Sequence, residues 1–108
     1  MEEATDARPG EEIDAASLAE YLAGESGTLG RRLEIQQFPA GSSNLTYLVR
    51  SGPEEFVLRR PPFGNTVRSA HDMRREFDVL TKLSSVYRPA PKPLLFCDDE
   101  SVIGSEFY

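Results

Sequence analysis

Hydrophobic and polar residues alternate along the middle of the chain in a pattern typical of β-strands. Leu45 to Arg50 and Phe56 to Arg60 are rich in β-branched, aromatic and aliphatic residues. The Gly and Pro of Ser51 to Glu55 favour an antiparallel hairpin between them. Leu33 to Phe38 also alternates and is followed by Pro39, so it predicts a strand that precedes the hairpin.

Helical spacing of apolar residues marks two other segments. Ile13 to Gly24 predicts a helix, with Asp14 as its candidate N-cap. A second helix is expected from about Ala70 to Ser84, where apolar residues recur on one face. Those residues are Met73, Phe77, Leu80 and Leu83.

Glu76 lies beside the apolar stripe of the second helix. It follows Met73 by three positions and precedes Leu80 by four, so its carboxylate adjoins the stripe instead of opposing it. A buried carboxylate is costly unless a cation meets it. Helix geometry leaves two interpretations open: a boundary Glu that reaches water, or the partner of a cation.

The remaining segments complete a small α+β fold. Leu94 to Cys97 predicts a short strand, Val102 and Ile103 predict the start of another, and Cys97 is expected to be buried. We therefore expect an antiparallel sheet of about five strands, with one packed helix between strands 3 and 4 and an extra N-terminal helix. Residues 1–12 are acidic and predict a disordered lead to a single domain over 13–108.

Charge and composition argue against several classes of partner. The chain has 108 residues and a net charge of −6, so no basic surplus attracts nucleic acid or an anionic membrane. No apolar run approaches the ~20 residues that span a bilayer. The single cysteine permits no internal disulfide, which favours the reducing cytoplasm. His71 has no second ligand residue near it, so we expect no metal site in this chain.

The loop of Gly41, Ser42, Ser43 and Asn44 has a composition that suits an anion. Glycine presents bare backbone N–H groups, the two hydroxyls donate hydrogen bonds, and Asn tolerates a left-handed backbone. Such a loop between two strands can close over a phosphate. On its own, however, this composition fits an ordinary turn better.

Alternation along the third strand adds a second element to this candidate site. It places Val57 and Arg59 on one face. If that face lies under the Gly/Ser loop, Val57 offers an apolar wall to a base and Arg59 offers a cation to phosphate oxygens. Glu76 would then be the carboxylate that fixes Arg59, as in the small lobe of a kinase.

Nearly the whole chain resembles the N-terminal lobe of the aminoglycoside phosphotransferase family, also called the choline-kinase-like group. Within it, the chain resembles the branch that is fused to, or encoded beside, acyl-CoA dehydrogenases. The segments that carry the resemblance are Phe38–Tyr47, Val57–Pro62, Ala70–Phe77, Pro89–Pro91, Cys97–Asp99, Val102–Gly104 and Phe107–Tyr108.

This resemblance implies roles for particular residues. Gly41–Asn44 would lie over the phosphates of ATP, and Val57 would line the base site. Arg59 stands where kinases place the third-strand lysine, Glu76 stands where they place its helix partner, and Tyr108 lies just before the hinge. Arginine departs from the usual lysine, because its planar, bidentate guanidinium holds phosphate differently from an ammonium.

The resemblance also implies parts that this sequence does not contain. A kinase of this group uses a His-Gly-Asp-x4-Asn segment and a later Asp to position the acceptor hydroxyl and bind Mg²⁺. His71-Asp72 is not that segment, since no Asn follows at the required distance. We expect a truncated, inactive small lobe without catalytic residues or metal ligands, whose parent transfers the γ-phosphoryl of ATP to a small-molecule hydroxyl.

Other interpretations remain open. One is a pseudokinase-like module that binds nucleotide or another ligand without chemistry, which the arginine at position 59 also fits. The other is a small α+β domain whose Arg/Glu pair is structural. In each case we expect 1–108 alone to be marginally stable, because it stops inside a predicted strand and leaves an unpaired edge.

Overall fold

The β2–β3 hairpin lies at the centre of the fold. A computed structural model describes residues 4–26, 32–39, 45–61, 69–86 and 93–108, and for 69–72 the backbone alone. Its elements are α1 (Ala15–Ser26), β1 (Leu33–Gln37), β2 (Leu45–Ser51), β3 (Glu54–Arg60) and α2 (Ser69–Val86). The strands form an antiparallel sheet in the order β1-β2-β3, so the predicted α+β class is confirmed.

Gly52 and Pro53 form the two-residue turn of this hairpin. Gly52 has a φ of +60°, which glycine adopts without a Cβ clash, and proline fixes φ near −65° at the next position. A tight hairpin with a positive φ at its first central residue matches the right-handed twist of its strands. The turn fixes a register in which Thr46 lies opposite Arg59.

The sheet has one buried face and one half-exposed face. Alternate residues of β2 are buried, and those between them are half-buried. In β3, Leu58 and Arg60 are buried, whereas Val57 and Arg59 are more exposed. The buried face packs with α1 into a core formed by Leu18, Leu22, Leu33, Leu45, Tyr47, Val49, Leu58, Cys97, Ile103 and Phe107.

Helix α2 packs through its first half. The predicted apolar stripe is fully buried at Met73 and half-buried at Phe77 and Leu80, but Leu83 is exposed. The helix also extends beyond its predicted end at Ser84 and finishes at Val86. The sequence pattern therefore identified the packed face correctly and overestimated how far along the helix that packing reaches.

The predicted strand start at Val102 and Ile103 is wrong, because these residues lie in a turn. The amide and hydroxyl of Ser101 donate to Oδ1 of Asp99 at 2.9 and 2.6 Å. Gly104 follows with a φ of +96°. Local side-chain hydrogen bonds of this kind compete with strand pairing and here outweigh the β-propensity of Val and Ile.

The C-terminal residues nevertheless lie beside β3. Arg59 and Tyr108 exchange backbone hydrogen bonds of 2.9 and 3.1 Å. Cys97 and Phe107 form an isolated antiparallel bridge. The described part of the chain thus contains three strands where about five were expected. In place of the last two predicted strands it has the Cys97–Phe107 bridge and the backbone contact between Arg59 and Tyr108.

The N-terminal lead contacts β1, although the sequence predicted a disordered segment over 1–12. Thr5 forms an antiparallel bridge with Gln37. The side-chain amide of Gln37 accepts from the amide of Arg8 and donates to the carboxylate of Glu11, each at 2.9 Å. A buried amide needs partners for its donor and its acceptor, and the lead supplies both.

Substitution of Leu18 tests whether α1 belongs to the core. Leu18 is fully buried, so Leu18→Ala should lower the free energy of unfolding by about 2–5 kcal/mol in urea denaturation. Val79→Ala is the control, because Val79 is exposed on α2 and should change that free energy by about 0.5 kcal/mol or less. Equal effects of the two substitutions would contradict the placement of α1.

Stability at high pH tests the environment of Tyr47. Burial raises the pKa of Tyr47 to about 12, whereas an unfolded tyrosine titrates near pH 10. The unfolded state loses this proton first, so the free energy of unfolding should fall as the pH rises from about 10 towards 12.

Tyr47→Phe should weaken that decline. At neutral pH it should cost about 1 kcal/mol, because the hydroxyl donates to the carbonyl of Glu11 at 2.6 Å. Urea unfolding of both proteins over the alkaline range measures the two effects. Identical pH slopes for the wild type and the variant would show that Tyr47 does not carry the dependence.

Candidate functional site

Arg59 and Glu76 form an ion pair on the half-exposed face of the sheet. Nε of Arg59 donates to Oε1 of Glu76, and Nη2 donates to Oε2 at 3.3 Å. Two parallel hydrogen bonds are the arrangement that a planar guanidinium favours with a carboxylate. The side chains are 26% and 29% exposed, so water and small ligands reach the pair. Of the two interpretations of Glu76, the structure shows the partner of a cation.

Among the described residues, Thr46 and Tyr108 also contact this ion pair. Nη1 of Arg59 donates to Oγ1 of Thr46 at 2.8 Å, and the hydroxyl of Tyr108 donates to Oε1 of Glu76. Neither Thr46 nor the hydroxyl of Tyr108 was predicted from the sequence to contact this pair. The two-residue turn carried a signal for Thr46, since it places that residue opposite Arg59 on the same face. No sequence signal placed Tyr108 against Glu76.

The electrostatics keep Arg59 charged and Tyr108 protonated. Burial disfavours the charged guanidinium, but the hydrogen bonds and charge of Glu76 outweigh this effect, so the pKa of Arg59 is raised. Burial also raises the pKa of Tyr108, and the hydrogen bond and charge of Glu76 raise it further. The site therefore presents a permanent, preoriented cation, which suits a phosphate oxygen.

Val57 lies on the same face as Arg59. Its side chain is 57% exposed, and it lies opposite the half-buried Leu48 in the sheet. These two aliphatic side chains form an open apolar surface beside the cation. An apolar wall with a few polar groups next to it is the usual composition of a small-molecule site.

The other predicted site residues lie outside the described part of the chain. These are Gly41, Ser42, Ser43 and Asn44. The following strand, β2, begins at Leu45, directly before the Thr46 that contacts Arg59.

Two kinds of feature are absent from the described ranges, a metal-binding cluster and a membrane-spanning helix. Among these residues, no group of three or more His, Cys, Asp or Glu side chains is arranged to hold a metal ion. No helix in the same ranges has both the length and the apolar character that a membrane span requires. Cys97 is buried, as predicted, and is free of disulfide bonds.

Comparison with known proteins gives a consistent picture. Acyl-CoA dehydrogenase family member 11 of Homo sapiens is 41% identical over 104 residues, which cover 93% of this chain and 13% of that protein. Acyl-CoA dehydrogenase family member 10 of Mus musculus is 40% identical over 97 residues, 89% of this chain and 9% of that protein. Probable acyl-CoA dehydrogenase IBR3 of Arabidopsis thaliana is 39% identical over 82 residues, 71% of this chain and 10% of that protein. No solved structure matches.

The chain thus spans 13% or less of the length of these relatives. A family model described as the phosphotransferase enzyme family matches residues 34–108. That range includes β2, β3, α2 and all of β1 except Leu33, together with the residues that form the Arg59–Glu76 contact. The family resemblance that the sequence motifs indicated is therefore confirmed, and the chain belongs to the phosphotransferase enzyme family.

Proposed function

We propose that this chain is the ATP-binding small lobe of a phosphotransferase, which transfers the γ-phosphoryl group to a hydroxyl of a small molecule. The observation that carries the proposal is the Arg59–Glu76 pair on an accessible face of the sheet. Phosphoryl transfer asks little covalent chemistry of the protein, so positioning and charge neutralisation dominate catalysis. A cation held in one orientation contributes to both.

In this proposal Arg59 binds phosphate oxygens of ATP. A guanidinium carries five N–H donors, and the contacts with Glu76 and Thr46 use three of them within the described ranges. Because Glu76 fixes the plane of the guanidinium, its outer edge points in a defined direction before ATP arrives. Such preorganisation removes part of the ordering cost of binding.

The neighbouring groups complete the nucleotide site in this proposal. Val57 and Leu48 form the apolar wall against adenine. The backbone N–H groups and hydroxyls of Gly41–Asn44 donate hydrogen bonds to the phosphates. Mg²⁺, when bound, would neutralise charge on the phosphates. No group of three or more His, Cys, Asp or Glu side chains is arranged for a metal among the described residues, and in this proposal the metal ligands and the catalytic Asp belong to a second lobe outside this chain.

The names of the relatives support one further part of the proposal. Each name contains the words acyl-CoA dehydrogenase, and the matched region is 13% or less of the length of each protein. We infer that the parent protein joins this lobe to an acyl-CoA dehydrogenase or acts beside one. We assign it to the cytoplasm, where a chain with a single, buried, free cysteine needs no oxidising environment.

A pseudokinase-like module is the second candidate function. Arg59 favours it, because a planar guanidinium cannot reproduce the point-charge geometry of the usual lysine. Both functions require ATP to bind at Arg59, but only the first produces a phosphorylated acceptor and ADP. Product analysis on the intact protein with a panel of small-molecule alcohols separates them.

Substitution of Arg59 tests the nucleotide site. In the intact protein, Arg59→Ala should weaken binding of Mg²⁺-ATP about tenfold or more, because a hydrogen bond to a charged group contributes about 1.5–3 kcal/mol. Isothermal titration calorimetry measures the affinity. Arg50→Ala is the matched control, since Arg50 forms an exposed pair with Glu55 near the turn of the hairpin and its loss should leave the affinity unchanged.

The outcome that contradicts the proposal is equally specific. If Arg59→Ala and Arg50→Ala bind Mg²⁺-ATP as tightly as the wild type, Arg59 does not bind phosphate. The ion pair would then be structural, and the small α+β domain without a nucleotide site would be the better interpretation.

A further inference from the structure

We propose that Tyr108 is a positioning residue for Arg59, which it holds in place through Glu76. The inference rests on the proposed function, because the position of Arg59 matters only if Arg59 binds ATP. It adds a residue that contacts neither phosphate nor base in that proposal. The geometry assigns the role through separate main-chain and side-chain contacts.

The first contact is between main chains. The backbone N–H of Arg59 donates to the carbonyl of Tyr108 at 2.9 Å, and the N–H of Tyr108 donates to the carbonyl of Arg59 at 3.1 Å. This exchanged pair fixes the two residues side by side. In an antiparallel pair of this kind, directly opposed side chains emerge on the same face of the sheet. Tyr108 and Arg59 therefore both reach towards α2.

The second contact joins the side chain of Tyr108 to α2. Its hydroxyl donates to Oε1 of Glu76, the oxygen that also accepts from Nε of Arg59. Its ring packs edge-on against Phe77, with ring centroids 5.7 Å apart. Tyr108 thus contacts consecutive residues of α2, one through a polar group and one through an apolar surface.

These contacts matter because the packing of α2 against the sheet is limited. Met73 is fully buried, but Val79, Leu83 and Val86 in the second half of the helix are exposed. Along the described part of α2, the turn around Glu76 and Phe77 is where helix and sheet meet through the ion pair and the aromatic rings. A group that holds this turn controls whether Glu76 stays on Arg59.

Loss of the Tyr108 hydroxyl should therefore loosen the helix without unfolding the lobe. Glu76 is 29% exposed, so its carboxylate can exchange the hydroxyl for water and move away with α2. The helix would then exchange between its position against the sheet and a displaced position. The apparent affinity for ATP would equal the intrinsic affinity multiplied by the fraction of molecules whose helix remains against the sheet.

Tyr108→Phe tests this role in the intact protein, since it keeps the ring that packs on Phe77. Affinity for Mg²⁺-ATP should fall about three- to tenfold, the equivalent of one lost hydrogen bond of ordinary strength. Amide hydrogen exchange should accelerate in α2 and stay unchanged in β1 and β2. The exchange measurement is made without ATP, so it tests the positioning of α2 independently of nucleotide binding.

Tyr21→Phe is the matched control. Like Tyr108, Tyr21 contacts a glutamate through its hydroxyl and a phenylalanine through its ring. The hydroxyl donates to Glu25 on the same helix at 3.2 Å, and the ring packs edge-on against Phe107. It lies on α1, away from Arg59. Tyr21→Phe should leave both the ATP affinity and the exchange of α2 unchanged.

A double substitution separates a positioning role from a structural one. In the Glu76→Ala background, Tyr108→Phe should cause no further loss of ATP affinity, because the contact through which it acts is already gone. An undiminished effect in that background would overturn the inference. A Tyr108→Phe protein that does not fold would overturn it as well, in favour of a purely structural role.

The failures of the two proposals can be told apart. If Arg59→Ala weakens ATP binding and Tyr108→Phe behaves like Tyr21→Phe, the proposed function stands and the role of Tyr108 is wrong. If Arg59→Ala binds ATP like the wild type, the proposed function fails and the inference fails with it, whatever happens to the exchange of α2.

Discussion

The register of the β2–β3 hairpin is the constraint on which the rest of the structure depends. It gives the adjacent residues Arg59 and Arg60 opposite environments. Arg60 is 1% exposed and donates to the carbonyls of Pro61 and Ile103 at 3.0 and 2.9 Å, whereas Arg59 lies on the accessible face with Glu76. A slip of one residue would exchange the two faces. It would bury Arg59, which contacts Glu76, and expose Arg60, which donates to the carbonyl of Ile103 in the C-terminal turn.

Under the proposed function, the two faces of the sheet divide stability from recognition. The face that packs against α1 contributes the apolar burial that favours folding. The opposite face holds the Arg59–Glu76 pair, whose side chains are 26% and 29% exposed. Partial burial removes hydration from both charges and offsets much of their attraction, so such a pair is weak evidence of stabilisation. Under the proposed function, its bidentate geometry is better explained by the orientation that it gives to Arg59. This division is the physical basis for expecting substitutions on one face to leave the other intact.

The sequence predicted those parts of the fold and site that depend on local pattern. Alternation located β1, β2 and β3, and helical spacing put Glu76 where it meets Arg59. The pattern could not show that Gln37 is buried and binds the lead, because a polar residue at a strand end usually faces water. Nor could it show the hydroxyl of Tyr108 on Glu76, because that contact joins segments that only the tertiary fold brings together.

The contact of the lead with β1 has a consequence for association between molecules. β1 lies at an edge of the sheet, and an exposed edge offers unpaired N–H and C=O groups to strands of other chains. At its Gln37 end, this edge is already paired with Thr5, whose main chain both donates to and accepts from Gln37. The lead thus protects part of the edge from pairing with other molecules. A version of the protein that began after the lead would keep the hydrophobic core and lose this protection, so it would be more prone to self-association.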